Sequence, residues 1–208
     1  MNILKNFILF LVDLLRNYIH QPRILNSLIQ LNIKVAFDVG SHKGETIEYF
    51  QKINGINKIH SFEPQILIYN KLVEKYNFNN KIVLNNLALG SNFEEKNFFI
   101  NSLSSTSSFS SINKDSLWFK IKKIILNEKD PIKDSIILQT STIDNYVKNK
   151  NINVIDLLKI DTEGYELEVL KGAQKTIDNK KVNYILIELH FSKMYKDYSK
   201  DKIEIFLK

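Results

Sequence analysis

From Lys34 onward, short apolar runs rich in β-branched residues alternate with segments whose apolar positions recur at helical spacing. Five of the runs predict strands, at residues 35–39, 58–62, 82–86, 155–160 and 184–189. Their almost continuous apolar character is typical of parallel strands that are covered on both faces. The spacing between them predicts helices at about 45–53, 65–77, 142–149, 164–178 and 195–207. This alternation indicates an α/β domain built around a mostly parallel sheet.

An insert interrupts the alternation. Residues 96–100 and 135–139 predict two short strands on either side of it, and the insert itself covers about 101–133. It begins at residues 101–111 with a tract of serine and threonine side chains that we expect to be too polar to pack. A long loop inside a compact domain is usually functional or disordered. Two interpretations stay open: a mobile lid over the carboxyl edge of the sheet, or a solvated linker.

Residues 3–19 predict an amphipathic helix, because apolar side chains recur at helical spacing opposite polar ones. Asp13 and Arg16 interrupt its apolar run well short of the ~20 residues that span a bilayer. A cleavage site of small residues, as in a signal peptide, is absent, so we expect a cytoplasmic protein. We expect the amino-terminal segment 1–33 to pack on the domain at 34–208 or on a second copy in a homo-oligomer. The alternative is peripheral contact with a membrane surface.

Composition narrows the class of protein. The 208 residues are 44% hydrophobic and 25% charged, which suits one globular domain. The absence of cysteine excludes thiol catalysis, disulfides and cysteine-ligated zinc. The net charge is +6, but the lysines are dispersed along the chain, whereas a nucleic-acid surface would cluster them. We therefore expect no nucleic-acid partner.

The first predicted strand ends in an acid, Asp38, which Gly40 and Gly44 follow in a strand-to-helix turn. Gly40 permits a tight turn and close approach of a ligand, and Gly44 lets the next helix pack near the strand. The dinucleotide pattern GxGxxG is absent because Ser41 and His42 leave one glycine before Gly44. Its absence argues against a nicotinamide enzyme. Asp38 would repel a pyrophosphate and can engage a cationic ligand.

The second and third predicted strands also end in polar side chains. Glu63 follows the second strand and can accept hydrogen bonds from both hydroxyls of a ribose, although a lone acid there is more often capping or solvated. Asn86 ends the third strand, where its amide and the backbone up to Gly90 can contact the edge of an adenine. Coupled with the turn after the first strand, Glu63 favours a ligand-binding site at this edge of the sheet.

The fourth predicted strand carries the densest group of ionisable residues. Lys159, Asp161 and Glu163 alternate at its carboxyl end, and the period of two places them on one face. Ions at the end of an apolar strand need partners and often mark a site. Capping of the next helix is the alternative role for some of them, through Asp161 or Thr162, or through Glu163 and Glu166 near the helix dipole.

The fifth predicted strand ends at Glu188 and His190. His190 is a candidate general base, although a single histidine is more often structural. Asp161, Glu188 and His190 could together bind a divalent ion, but nothing in their spacing requires a metal. No metal site is therefore predicted.

Together these segments resemble the FkbM family of S-adenosylmethionine-dependent methyltransferases. The similarity covers most of residues 34–190, and its most distinctive part is 157–173, which contains Leu158-Lys159-Ile160-Asp161-Thr162-Glu163-Gly164. The combination of this segment, in order, with Asp38-Val39-Gly40 and Phe62-Glu63-Pro64 is highly specific.

The resemblance implies a Rossmann-like class I methyltransferase fold and methylation of an oxygen, commonly on glycans or secondary metabolites. It implies S-adenosylmethionine as the cofactor, and the candidate cofactor residues are Asp38, Gly40, His42, Gly44, Glu63 and Asn86. The candidate catalytic residues are Lys159, Asp161, Glu163 and His190. Of these, Asp161 or His190 would take the proton from the acceptor hydroxyl while Lys159 orients the acceptor or an acid.

The family's full sheet has a carboxyl-terminal β-hairpin after the fifth strand, whereas this sequence continues only into one predicted helix. We therefore expect a sheet without the hairpin, and two interpretations stay open: a truncated chain, or an edge covered by the amino-terminal helix or by another subunit. The expected function is methyl transfer to a hydroxyl, on a small molecule or on a sugar of a polysaccharide or glycan. The alternative is a non-catalytic protein of methyltransferase fold that binds the cofactor or another subunit.

Overall fold

The computed structural model describes residues 21–102, 104–117, 119–120, 132–190 and 194–208. The helix predicted over residues 3–19 lies outside the described residues. Among the described ones, no helix is long and apolar enough to cross a bilayer.

A five-stranded parallel sheet forms the centre of the fold. Its strands are β1 (Val35–Val39), β2 (Lys58–Phe62), β3 (Ile82–Asn85), β7 (Ile155–Ile160) and β8 (Val182–Ile187). All five predicted strands are thus confirmed, with small differences at the ends of β3 and β8. The strands lie side by side in the order β3, β2, β1, β7, β8. The strand order therefore reverses at β1, and a crevice for a ligand is expected at the carboxyl ends of β1 and β7.

A smaller sheet flanks the insert. In it, β6 (Ile132–Ser141) pairs in parallel with β4 (Ala88–Leu89) and antiparallel with β5 (Glu95–Asn101). The two strands predicted beside the insert are confirmed as β5 and β6, and both extend further than predicted. A register shift between Ile100 and Asn101 marks a β-bulge.

Helices cover both faces of the parallel sheet. They are α1 (Gln21–Ile29), α2 (Glu45–Phe50), α3 (Ile66–Tyr76), α4 (Ile143–Asn149), α5 (Glu166–Lys171), α6 (Gln174–Asp178) and α7 (Lys200–Phe206). The Thr142 side chain caps α4 by accepting the N–H of Asn145, and the Ser199 side chain caps α7 by accepting the N–H of Lys202. This second cap explains why α7 begins later than residue 195, where the pattern predicted it.

The single helix predicted over residues 164–178 is wrong, because the segment forms α5 and α6. Gly172 lies at the break, and a Cβ atom there would lie 2.0 Å from the carbonyl oxygen of Gly90. Beyond the break, the Asp144 carboxylate accepts the N–H groups of Lys175 at 3.1 Å and Thr176 at 2.8 Å. A distant side chain therefore starts a new helix where apolar periodicity alone predicts continuity.

The sheet separates two apolar cores. In β1, Ala36 and Phe37 point to opposite faces, as the period of two requires. Ala36 packs in the core that contains Ile47 of α2 and Leu72 of α3. Phe37 packs in the core that includes Leu170 of α5. Because both faces are occupied, the strands are apolar along most of their length, and polar side chains concentrate at their ends.

We expect Leu158→Ala to lower the free energy of unfolding by about 2–5 kcal/mol, because it opens a cavity in the central strand β7. Leu158 is 0% exposed, whereas Leu67 on α3 is 76% exposed and provides a matched Leu→Ala control. The control should change stability by about 0.5 kcal/mol or less. Urea denaturation measures both variants, and equal losses would contradict the position of Leu158.

Candidate functional site

A cavity of about 430 Å³ opens at the carboxyl ends of the parallel strands. Its wall includes the turn after β1 and the ends of β2, β7 and β8. Strand β4, the residue before it and serines of the insert complete the wall. Of the predicted site residues, six line it: Gly40, His42, Glu63, Lys159, Asp161 and Glu163. The other four are not among the described residues that line it: Asp38, Gly44, Asn86 and His190.

A buried ion pair joins β1 to β7 beside the cavity. Asp38 and Lys159 are neighbours in the strand register, and Lys159 Nζ lies 3.0 Å from Asp38 Oδ1. The same ammonium lies 3.4 Å from Asp161 Oδ2 and donates to the carbonyl of Gly40 at 3.3 Å. Burial alone would lower the pKa of Lys159, but the Asp38 and Asp161 carboxylates outweigh it and raise that pKa. Asp38 therefore holds a protonated Lys159 in place at the cavity wall.

The turn after β1 depends on two glycines with positive φ. Gly40 has φ +84°, and a Cβ atom there would lie 1.9 Å from the carbonyl oxygen of Asp161. Gly44 has φ +85°, and a Cβ atom there would lie 2.8 Å from the ring of Tyr76 on α3. The prediction that Gly44 makes room near the strand is therefore corrected, since the close neighbour is a helix. Gly40 alone of the two faces the cavity.

Glu63 anchors the turn to the end of β2. Its Oε2 accepts the N–H of His42 and its Oε1 accepts the N–H of Gln65, both at 2.9 Å. Burial raises the pKa of Glu63, and these two N–H groups oppose that change. The Asn86 side-chain amide donates to the carbonyls of Glu63 at 2.9 Å and Pro64 at 3.0 Å. Asn86 thus shapes the wall from behind, and its predicted adenine contact stays a prediction.

The serine-rich tract packs over the carboxyl edge of the sheet, so the expectation that it is too polar to pack is wrong. Ser108 is 2% exposed because its hydroxyl donates to the carbonyl of Thr162 at 2.9 Å. Ser104 Oγ lies 2.9 Å from Nε2 of His42. Hydroxyl groups that bind backbone and side-chain partners can be buried at little cost. This position excludes a solvated linker for the described part of the tract, and mobility of a lid stays a prediction.

The turn after β7 is held by Glu166, which the sequence suggested only as a dipole partner of the helix. Glu166 is 0% exposed, and its Oε1 accepts the N–H groups of Thr162 and Gly164 at 3.0 Å. Glu163 has φ +55° and lies beyond the end of β7, so the strand alternation does not extend to it. Its carboxylate accepts the hydroxyl of Tyr195. Glu163 nevertheless lines the cavity, because the turn and not the strand directs it there.

His190 faces Glu166, with Nε2 3.4 Å from Oε1, and its side chain is 8% exposed. The rings of Tyr195 and Tyr198 pack edge-on against it, with centroids 5.4 Å and 5.7 Å away. Burial alone would lower the pKa of His190, but the Glu166 carboxylate and its acidic neighbours raise it to about 9. The structure therefore places His190 where it supports the turn after β7, and a role as general base stays a prediction.

Glu188 lines the cavity from the end of β8 and is also exposed to solvent. Repulsion from Asp161, with burial as the second cause, raises the pKa of Glu188 to about 7. From the sequence, Glu188 was predicted to be a polar residue at a strand end, and the only role considered for it was that of a metal ligand. Within the described part of the chain, no group of three His, Cys, Asp or Glu residues could hold a metal ion.

These features define a class of protein. A parallel sheet whose strand order reverses at β1, with a glycine turn and a cavity at the carboxyl ends, is a Rossmann-like α/β domain, a class in which ligands commonly bind at this edge of the sheet. The family model described as the methyltransferase FkbM domain matches residues 38–208. The chain belongs to the FkbM methyltransferase family.

Two relatives show how far the similarity extends. The hexuronic acid methyltransferase AglP of Haloferax volcanii is 33% identical over 66 residues, which are 32% of this chain and 27% of AglP. The crystal structure of an FkbM methyltransferase from Methylobacillus flagellatus is similar over 73% of this chain and 31% of that chain, with 18% identity and a TM-score of 0.45. The matched part spans less than a third of each relative's length.

We expect Gly40→Ala to disrupt the turn after β1, since both the positive φ and the contact with Asp161 exclude a side chain. Gly55 is a matched control, because it has φ +100° but its Cβ position is 3.5 Å from the nearest heavy atom. Gly55→Ala should cost about 1–2 kcal/mol from the backbone conformation alone. Gly40→Ala should cost at least about twice as much in urea denaturation. Equal costs would show that the turn has room for a Cβ atom.

We expect stability to depend on pH through His190, whose pKa of about 9 lies above its value in an unfolded chain, about 6.5. The Glu166 contact contributes fully below about pH 6.5, decreases as the pH rises, and is lost above pH 9. The free energy of unfolding should therefore fall across this interval, by up to about 3 kcal/mol, and much less in His190→Gln. Urea denaturation at several pH values tests this, and parallel curves for the two proteins would contradict it.

Proposed function

We propose that the chain is an S-adenosylmethionine-dependent O-methyltransferase that methylates a hydroxyl, on a sugar of a polysaccharide or glycan. The observation that carries the proposal is a cavity, in a chain of this family, whose wall brings together Gly40, Glu63, Lys159 and Asp161. The relative AglP is named for a hexuronic acid, a sugar derivative, and its name favours a sugar acceptor.

The residues at the β1 and β2 side of the cavity fit the proposed cofactor. Each carboxylate oxygen of Glu63 accepts one N–H and keeps acceptor capacity for a ribose hydroxyl. Leu87, Ala88 and Leu89 add apolar wall that suits a flat base. A wall rich in carboxylates suits the positive charge of a sulfonium. When bound, the cofactor would supply an electrophilic methyl group.

The chain's own residues would position the acceptor and move its proton. Asp161, with 26% of its side chain exposed, can accept the proton of a hydroxyl at the cavity wall. Lys159 fixes that carboxylate by the contact at 3.4 Å. Phe109 and the serines beside it line the cavity and would limit access of water to the bound reactants. Alignment of two bound reactants can supply about 7–11 kcal/mol of a barrier, so positioning is the main contribution.

We expect calorimetric titration with S-adenosylhomocysteine to show saturable binding that Glu63→Gln weakens at least about tenfold. The amide cannot accept at both of its positions, so it leaves one of the N–H groups of the turn unpaired and one ribose hydroxyl without its acceptor. Glu74→Gln, an exposed change on α3, is the matched control and should bind as the wild type does. Thermal unfolding of each variant shows that it is folded.

Two results would contradict the proposal. Equal affinity of Glu63→Gln and the wild type would remove Glu63 from the cofactor site. No binding by a folded wild-type chain would instead favour the alternative, a non-catalytic protein of methyltransferase fold.

A further inference from the structure

The wall of the cavity is acidic, although the chain as a whole carries a net charge of +6. Six carboxyl side chains line it: Glu45, Glu48, Glu63, Asp161, Glu163 and Glu188. Among the described residues that line it, Lys159 is the one lysine, and none is an arginine. Over the part of the chain that the structure describes, the charge along the cavity wall is therefore opposite in sign to the net charge of the chain.

The charge of Lys159 is already matched. Its ammonium contacts the carboxylates of Asp38 at 3.0 Å and Asp161 at 3.4 Å, and donates to the carbonyl of Gly40. An incoming carboxylate would have to displace one of these partners from a buried pair, which leaves a buried charge uncompensated. Proteins usually recognise carboxylates with the paired N–H groups of arginine, and the described wall offers none.

The carboxylates exceed what the proposed cofactor can neutralise. S-adenosylmethionine carries a sulfonium, an ammonium and a carboxylate, so its net charge is one positive unit. Glu45, Glu48 and Glu63 lie on the β1 and β2 side, whereas Asp161, Glu163 and Glu188 lie at the ends of β7 and β8. Lys75 pairs with Glu48, and Lys159 contacts Asp161. With one further cation bound in the cavity, the carboxylates of the wall still outnumber these cations, so the wall repels a second anion.

The neutral part of the wall suits a polyhydroxyl ring. Ser104, Ser105 and Ser107 bring hydroxyl groups from the insert, and carboxylates are strong acceptors for sugar hydroxyls. Phe109 and Tyr165 pack with ring centroids 5.0 Å apart and both line the cavity. Aromatic side chains offer a broad apolar surface to a ring that is polar only at its rim.

We propose that the acceptor is a neutral or amino-substituted sugar, and that the carboxylates of Asp161, Glu163 and Glu188 exclude uronates and other anionic sugars. This inference rests on the proposed function and adds the charge class of the substrate, which differs from that of the hexuronic acid for which the relative AglP is named. Repulsion of the wrong substrate is a common source of specificity, because it lowers the affinity of one ligand without improving that of another.

Glu188 is the residue of the three whose charge can be removed with least disturbance. Asp161 contacts Lys159, and Glu163 accepts the hydroxyl of Tyr195. The Glu188 side chain hydrogen-bonds to Asp161, a contact that a glutamine amide can keep by donating, and the backbone N–H of Glu188 donates to the carbonyl of Ile160 at 3.1 Å. Glu188→Gln therefore removes one negative charge from the wall and retains the end of β8.

Binding of matched sugars tests the proposal without requiring methyl transfer. The probes are a glucoside, a glucosaminide and a glucuronide of the same aglycone, titrated by calorimetry into the full chain saturated with S-adenosylhomocysteine. Measurements at about pH 8.5 keep Glu188 ionised, since its pKa is about 7. We expect the glucuronide to bind at least about tenfold more weakly than the glucoside. This gap should narrow as salt rises from about 50 to 500 mM.

Variants then locate the repulsion. Glu188→Gln should raise the ratio of glucuronide affinity to glucoside affinity by at least about threefold. Glu74→Gln carries the same change of charge on the exposed surface of α3 and should leave the ratio unchanged. Methyl transfer from S-adenosylmethionine should likewise be less efficient with the glucuronide than with the glucoside.

Three outcomes would overturn the inference. They are a glucuronide that binds as well as the glucoside, a ratio that Glu188→Gln leaves unchanged, and no binding of any sugar to the complex with S-adenosylhomocysteine. In each, retained binding of S-adenosylhomocysteine leaves the proposed cofactor site standing. Loss of that binding is the separate result that contradicts the proposed function itself.

Discussion

The buried ion pair between Asp38 and Lys159 is the contact on which the rest of the site depends. Within about 3.4 Å, one ammonium holds the end of β1, the end of β7 and the carbonyl of Gly40. A buried pair contributes little net stability, because desolvation offsets attraction, but removal of one partner is costly. The ion pair instead holds β1 and β7 in position, at the point where the strand order reverses and the cavity opens.

Three further contacts build the wall outward from that pair. Glu63 ties the turn after β1 to the end of β2, through the N–H of His42. The His42 ring contacts Ser104, so the insert is joined to the same turn. Glu166 accepts two backbone N–H groups of the turn after β7, and His190 contacts the same carboxylate. Each wall of the cavity is therefore set by a charged or polar side chain that is itself held by backbone.

Most of the strands and much of the site could be predicted because their signals are local. Apolar runs mark β1, β2 and β7, and polar residues mark the ends at which parallel strands must meet. This reasoning found Gly40, Glu63, Lys159 and Asp161, which the structure places around one cavity. The same reasoning could not tell that Asp38 and Asn86 do not line the cavity. A polar residue at a strand end can face the cavity, or it can support a neighbour that faces it.

The α/β class, the family resemblance and the edge of the sheet that carries the polar side chains could be read from the sequence, because periodicity and motif spacing are properties of neighbouring residues. The tertiary structure was needed to show that Ser107 and Ser108 are buried, that the segment 164–178 breaks at Gly172, and that His190 faces Glu166. These outcomes depend on partners distant along the chain, such as Thr162 for Ser108 and Asp144 for α6. Burial and pairing of polar groups are settled only when distant segments meet.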